Sequence, residues 1–299
     1  MSSPSNILFI FVDGLGIGKN DESANPCTRS KKYFRLFDDA EYPIKVENSG
    51  IALALDATLD LPGLPQSATG QTALLTGVNA SQLLGRHLNG LPNAKLRDVI
   101  REKSIFKWFA EKDLQAAFLN AFRPPFFDHD PNDIIKFLSV TTVANLAAGL
   151  EFFGLDDLKA GRCVYQDITS EAIREKGFDA PLVTPEKAGK IIGRRSQDYH
   201  FSLFEYFQTD KAGHSQNMEK ATTIITILET FFESVLQTVN LHNTLVLLTS
   251  DHGNIENISF RGHTRNPAMT LLFGSGAETA AAKMHSILDV YPTLVSFFH

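Results

Sequence analysis

The chain has 299 residues, of which 43% are hydrophobic, so it can bury a sizeable core as one domain or two closely joined ones without staples. Its net charge of -6 comes with no run of Lys or Arg able to track a phosphate backbone, which argues against nucleic acid as a partner and leaves small anionic ligands open. Cys27 and Cys163 form no CxxC pair, which excludes a disulfide framework and a thiolate zinc site and suits free thiols in a reducing, cytoplasmic compartment. No stretch is long and apolar enough to cross a bilayer, so no membrane association is expected.

The first apolar run, Ile7 to Val12, is too short and lacks the basic flank of a secretory core, and it ends in Asp13-Gly14; it is predicted as a buried strand. A polar excursion follows at residues 21–39. The small-residue turn Pro65-Gln66-Ser67-Ala68-Thr69-Gly70 then leads into a short apolar helix. It presents the Ser67 hydroxyl at a helix N-terminus, where unpaired amides and the dipole favour a phosphate and ease formation of an alkoxide. A plain helix cap is the alternative reading, and Thr69 and Thr72 are the fallback nucleophiles. Arg86 and His87 come shortly afterwards.

A helix is predicted over 104–112 and a strand over Ala116 to Asn120, with Arg123 just beyond it. From about residue 126 to 182 the alternation breaks. Pro124-Pro125 opens this stretch, a helix is expected over 134–153, and Arg162, Tyr165 and Asp167 could line a pocket, although packing and capping explain them equally well. It is expected to be an inserted lid on a core formed by 1–125 and 183–299.

Beyond the insert come a helix over 185–195, a strand from Phe201 to Phe207, a helix over 220–238, strands Thr244 to Thr249 and Met269 to Phe273, and a last helix over 288–298. Strands alternating with helices define an α/β class with a largely parallel sheet, and in such sheets ligands gather at the carboxyl ends of the strands. There the chain places Asp13, Asp210 and Asp251-His252. Asp210 and His214 are four residues apart, on one face if helical, which suits two ligands of one ion. His263 sits in a loop between Arg261 and Arg265.

Taken together, Phe11-Val12-Asp13-Gly14, the Ser67 turn, Asp210 with His214, Ser250-Asp251-His252-Gly253-Asn254 and Gly262-His263-Thr264 resemble the ordered motifs of the alkaline phosphatase superfamily. The branch they resemble most holds cofactor-independent phosphoglycerate mutase and phosphopentomutase. The resemblance covers the first hundred or so residues and most of 190–299.

It implies a three-layer α/β/α sandwich with a mostly parallel central sheet and a small inserted lid. It also implies that Asp210, His214 and His263 hold one divalent ion, and that Asp13, Ser67, Asp251 and His252 hold another, Ser67 serving as nucleophile too. Donors without thiolate, three of them histidines, suit Zn²⁺ or Mn²⁺ better than Mg²⁺ or Ca²⁺.

The implied activity is phosphoryl transfer on a small phosphorylated substrate. Hydrolysis through a phosphoserine, mutase chemistry and a silent metal-binding protein remain three readings. The short insert, and Ala68 where the mutases carry an acid, count against phosphoglycerate as substrate. Arg86, His87, Arg123, Arg261 and Arg265 are the candidate substrate contacts. The oligomeric state stays open.

Overall fold

In a computed structural model describing residues 3–298, the apolar runs become the centre of a seven-stranded sheet. β1 (Asn6–Val12) lies between β5 (Phe201–Tyr206) and β6 (Thr244–Thr249), parallel to both, with Ile7 opposite Phe201 and Leu245. These strands are buried on both faces, which is why they read as continuous apolar runs rather than alternating ones. β4 (Ala116–Phe118) extends the parallel part beyond β5.

On the other side, β7 (Ala268–Gly274) runs antiparallel to β6, β3 (Gly50–Leu55) antiparallel to β7, and β2 (Ile44–Val46) antiparallel to β3. The order is β2-β3-β7-β6-β1-β5-β4. Five of these strands, β1, β3, β4, β5 and β6, therefore point the same way, and the sheet is mostly parallel with a mixed edge.

Successive side chains of β1 point to opposite faces. Leu8, Ile10 and Val12 join a core with the helices Pro185–Arg195 and Met218–Thr238. Ile7, Phe9 and Phe11 join a second core with the helices Ser67–Thr76, Ala94–Lys103, Ile105–Glu111 and Val140–Ala147. The result is a three-layer α/β/α sandwich in which each fully buried Ile, Leu or Phe contributes about 1.5–3 kcal/mol.

The structure departs from the sequence expectations in four places. β4 stops at Phe118, because Asn120 turns its side chain to the backbone of Glu205. β2 and β3 are additional strands, the second built on the apolar run Ile51 to Leu55 that the sequence reading passed over. The helix expected over 134–153 divides into a 3-10 turn, Ile135–Phe137, and the helix Val140–Ala147, which Ser139 starts by accepting from the Thr142 amide. The last helix is likewise divided, into Ile287–Asp289, Val290–Val295 and Ser296–Phe298. Within 126–182, Val140 and Val143 belong to one core, and Leu158, Val164 and Ile173 to the other.

The polar excursion near the N-terminus is tied down by one buried acid. Glu229 accepts hydrogen bonds from the amides of Lys31, Lys32 and Tyr33 at 2.8–2.9 Å and from the Ser30 hydroxyl at 2.5 Å. Burial alone would raise its titration, but these four donors outweigh it and hold the carboxyl below its ordinary value.

We predict that Glu229→Gln costs about 2 kcal/mol at pH 7, since charge-assisted bonds are lost around buried amides. A depressed carboxylate stabilises the fold above its ordinary value of 4.5 and ceases to do so as the pH falls through the lowered one. The gap between wild type and variant should therefore shrink in urea unfolding below about pH 4.5. A gap that is the same at pH 7 and in acid would contradict this.

Candidate metal centre

The loops after β5, β1 and β6 interleave at one sheet edge. The Asp13 amide donates to the Tyr206 carbonyl, the Leu15 amide to Ser250 Oγ at 2.9 Å, and Thr209 Oγ1 to the Asp13 carbonyl at 2.5 Å. Two glycines make this possible. Gly14 has φ +71°, and a Cβ there would lie 3.0 Å from Asp210 Cβ and Oδ1. A Cβ on Gly253 would meet Thr264 Oγ1 at 2.2 Å, closing the approach of the loop that carries His263.

Two clusters result. In one, His252 Nε2 lies 3.3 Å from Asp13 Oδ1 and 3.5 Å from Asp251 Oδ2. Ser67 Oγ is 3.0 Å from the same nitrogen. In the other, the Nε2 atoms of His214 and His263 are each 3.4 Å from an Asp210 oxygen and 3.3 Å from one another. The His252 and His263 rings stack at 3.8 Å between centroids, so the clusters adjoin. Within each, one donor atom per residue lies within 4.8 Å of the others.

The surroundings orient these donors. His263 Nδ1 faces the Pro65 carbonyl at 2.8 Å and His214 Nδ1 the Arg261 carbonyl at 2.5 Å. With Nδ1 occupied there, each Nε2 is turned toward an Asp210 oxygen, where it can donate as an imidazolium or, when neutral, serve as a metal ligand. Asp13 Oδ1 and Asp251 Oδ2 are buried without a hydrogen-bond partner.

Electrostatics point the same way. Burial and then neighbouring acids raise Asp13 well above the usual carboxylate range, and burial with Asp210 nearby pushes Asp251 up to about 8. Burial, reinforced by His263, holds His252 down to about 3, so that ring is neutral. For Asp210 burial is outweighed by His263, His252 and Asn254, leaving its carboxyl at about 2. Burial likewise opposes protonation of His263, yet Asp210 and the Pro65 carbonyl hold its titration above the ordinary value. A buried site with three acids and the neutral His252 ring is stabilised by divalent positive charge.

Ser67 is the first residue of its helix, with Gln66 as the cap residue, and is 8% exposed. Thr69 Oγ1 and Thr72 Oγ1 donate to the carbonyls of Gln66 and Ala68 and are fully buried, which leaves Ser67 as the open hydroxyl of the turn. A compartment of about 390 Å³ holds Ser67 with Asp13, Gln71, Glu205, Asp210 and Lys211 among its walls.

None of the five basic residues expected to contact substrate lines that compartment. Arg86 and His87 border a neighbouring cleft with Gln66, where the His87 ring nitrogens face Ser81 Oγ and the Leu61 carbonyl. Arg265 donates to the Gly63 carbonyl, Arg261 supplies the carbonyl to His214, and Arg123 lines a separate chamber with Tyr165. Arg162 is paired with Asp157, and Asp167 accepts from the amides of Ser170 and Ala172. The cation that borders the compartment is Lys211, lying 4.4 Å from the Phe207 ring centroid.

Sequence reasoning passed over several supporting residues. Gln71 Nε2 donates to Asp13 Oδ2 at 3.1 Å, and Asn254 Nδ2 to Asp210 Oδ1 at 2.6 Å. Glu256 accepts from the amides of Gly16 and Asn254, from Thr264 Oγ1 and from Asn266 Nδ2, joining three loops. The available signals were position: Gln71 is one turn past Ser67 on its helix, Glu256 four residues past His252, and Lys211 beside Asp210.

Comparisons with known proteins agree with this geometry. Residues 157–299 match the model of the Metalloenzyme superfamily, a span that contains Asp210, His214, Asp251, His252 and His263. The chain is 31% identical over 113 residues to a 2,3-bisphosphoglycerate-independent phosphoglycerate mutase of Legionella pneumophila (strain Lens), a match covering 36% of this chain and 22% of the mutase. A mutase of the same description from Antithamnion sp. is 30% identical over 112 residues, covering 34% and 22%. The matched stretch is thus about a fifth of these relatives' length.

Two solved structures cover 99% of the chain. A protein of Pyrococcus horikoshii superposes with a TM-score of 0.59 at 16% identity over 97% of its own length, and the alkaline phosphatase of the Antarctic bacterium TAB5 with 0.57 at 14% over 98%. At those identities they establish the fold. Residues 157–299 thus resemble the Metalloenzyme superfamily, and the whole length of the chain shares the sandwich fold of these two structures.

Proposed function

We propose that the chain is a phosphoryl-transfer enzyme that hydrolyses a small phosphate mono- or diester through a phosphoserine on Ser67. The observation that carries this reading is the placement of Ser67 Oγ 3.0 Å from His252 Nε2, beside two adjoining clusters of metal-type donors. Asp210, His214 and His263 would hold one divalent ion, and Asp13, Asp251 and His252 with Ser67 a second. Zn²⁺ or Mn²⁺ suits these donors, and when bound such ions acidify a hydroxyl and neutralise phosphoryl oxygens.

The chain's own residues account for the rest. Ser67 Oγ gives up its hydroxyl proton to water and attacks phosphorus, the bond from phosphorus to the ester oxygen breaks, and the leaving alkoxide takes a proton from water to depart as the alcohol. Water then attacks the phosphoserine, returning the serine hydroxyl and releasing phosphate. Amides at the start of the Ser67–Thr76 helix and the Lys211 ammonium offer positive potential to the anionic group. Gln71 and Asn254 keep Asp13 and Asp210 in place. Two unpaired, buried cysteines suit a reducing compartment such as the cytoplasm.

A second reading, phosphomutase chemistry, is supported by the mutases that the chain resembles over part of its length. Lys211 is the one Lys or Arg among the described residues bordering the Ser67 compartment, with Arg123 in the adjoining chamber, a sparse set of cations for a substrate that carries a carboxylate as well as a phosphate. The test is a panel of phosphomonoesters, phosphodiesters, sulfate esters and phosphosugars with Zn²⁺ or Mn²⁺, recording products. Release of inorganic phosphate is expected. Transfer to an added alcohol or sugar in place of water would shift the assignment to a mutase, and no turnover of any phosphate ester would refute both.

A further inference from the structure

Beside the Ser67 compartment lies a chamber of about 470 Å³ with the rings of Phe118, Phe122, Phe126, Phe137, Tyr165 and Phe207 in its wall, and with Asn120, Arg123 and Gln166 among its polar lining. Its size falls within the roughly 300–1,000 Å³ usual for sites that enclose an organic ligand. Four of its lining residues, Leu91, Ser139, Glu205 and Phe207, also line the compartment that contains Ser67, so the two spaces adjoin.

The aromatic wall is already ordered. Phe122 packs against Phe118 at 5.9 Å and Phe126 at 4.5 Å between centroids, and Phe152 lies edge-on to both Phe122 and Phe126. Yet the rings leave the space open, and two apolar side chains at its border are left to solvent: Phe137 is 66% exposed and Leu91 43%. Uncovered apolar surface next to a polar catalytic compartment marks a ligand site more often than a packing defect.

The junction is fixed as well. Asn120 holds both the amide and the carbonyl of Glu205 at 2.8 Å, and Thr141 Oγ1 donates to Glu205 Oε2 at 2.6 Å. Burial pushes the Glu205 carboxyl up to about 7, which weakens its repulsion of a neighbouring phosphate.

Resting on the reading of Ser67 as phosphoryl acceptor, we propose that this chamber receives the alcohol portion of the substrate. The substrate class is then a phosphate ester of an alcohol with an aromatic or similarly flat body, to which Arg123, Asn120 and Gln166 of the lining can offer polar contacts. The alcohol body packs on the Phe122 wall and is covered by Phe137 and Leu91 while its phosphate lies by Ser67.

The test uses the full chain loaded with Zn²⁺ or Mn²⁺ and two phosphonates, propylphosphonate and 3-phenylpropylphosphonate, in titration calorimetry. The phenyl compound should bind at least about tenfold more tightly. That preference should fall toward unity in Phe137→Ala and in Leu91→Ala, both at exposed positions where folding is retained. Equal affinities, no binding of either compound, or a preference untouched in the double variant would each overturn the proposal. Turnover of propyl and 3-phenylpropyl phosphate, whose leaving alcohols are chemically alike, reports separately on catalysis. No turnover of either ester, with the binding preference intact, counts against the phosphoryl-transfer reading and leaves the chamber as a binding site for flat apolar bodies.

Discussion

Ser67→Ala is expected to lower turnover of any phosphate ester the protein accepts by at least roughly 10⁴-fold, the scale seen when a covalent nucleophile is removed. The substitution is mild for the fold. Ser67 opens a helix whose cap position is Gln66, alanine is a good helix former, and the recorded contact of the hydroxyl is with His252. A change in unfolding free energy under about 1 kcal/mol is therefore expected. Neither Thr69 nor Thr72 can substitute, since both hydroxyls are buried and bonded to carbonyls of their own helix. Initial rates combined with acid-quench trapping of a phosphoenzyme check this. Wild-type rates in the variant would move the nucleophile to a threonine or to water.

The second large effect is that of removing the ions. Ligands that bind the folded state at a thousand times their dissociation constant add about 4 kcal/mol of stability, so chelation should lower the melting temperature by roughly 8 °C. The reason is local: Asp13 and Asp251 are buried with oxygen atoms that the protein leaves unbonded, and Asp210 stands in the adjoining cluster. His214→Ala and His252→Ala should each lower the bound metal by up to one ion, because the two imidazoles belong to different clusters. His252 is fully buried, so His252→Gln serves as a check that its loss of metal is not merely a loss of fold. Elemental analysis finding two ions in every variant, or a melting temperature indifferent to chelator, would break the assignment of ligands.

Much of the site could be read along the chain because its acids follow apolar runs. Asp13 comes directly after β1, Asp251 two residues past the end of β6, and Asp210 is the third residue of the helix Gln208–Ser215 that follows β5. His263 was harder, since its loop has no periodicity; only the neighbouring Gly262-His263-Thr264 motif singled it out. The basic residues were misleading guides to the compartment. An arginine near a motif in sequence carries no information on which wall it joins, and Arg86, Arg123, Arg261 and Arg265 lie on other surfaces, whereas Lys211 borders Ser67. Glu256 was invisible for the same reason: its value lies in four donors from separate loops.

Hydropathy runs and turn residues are short-range properties, and they determined the α/β class, the strands β1, β5, β6 and β7, and the sheet edge at which polar groups collect. The antiparallel direction of β7, the pairing of β3 with β7, the stacking that makes the two clusters adjoin, and the aromatic chamber were decided by tertiary structure alone. Those features depend on which segments meet across more than two hundred positions of chain, as with Asp13 and Asp251. An apolar run records only that it will be buried, and the sheet order then selects its neighbours.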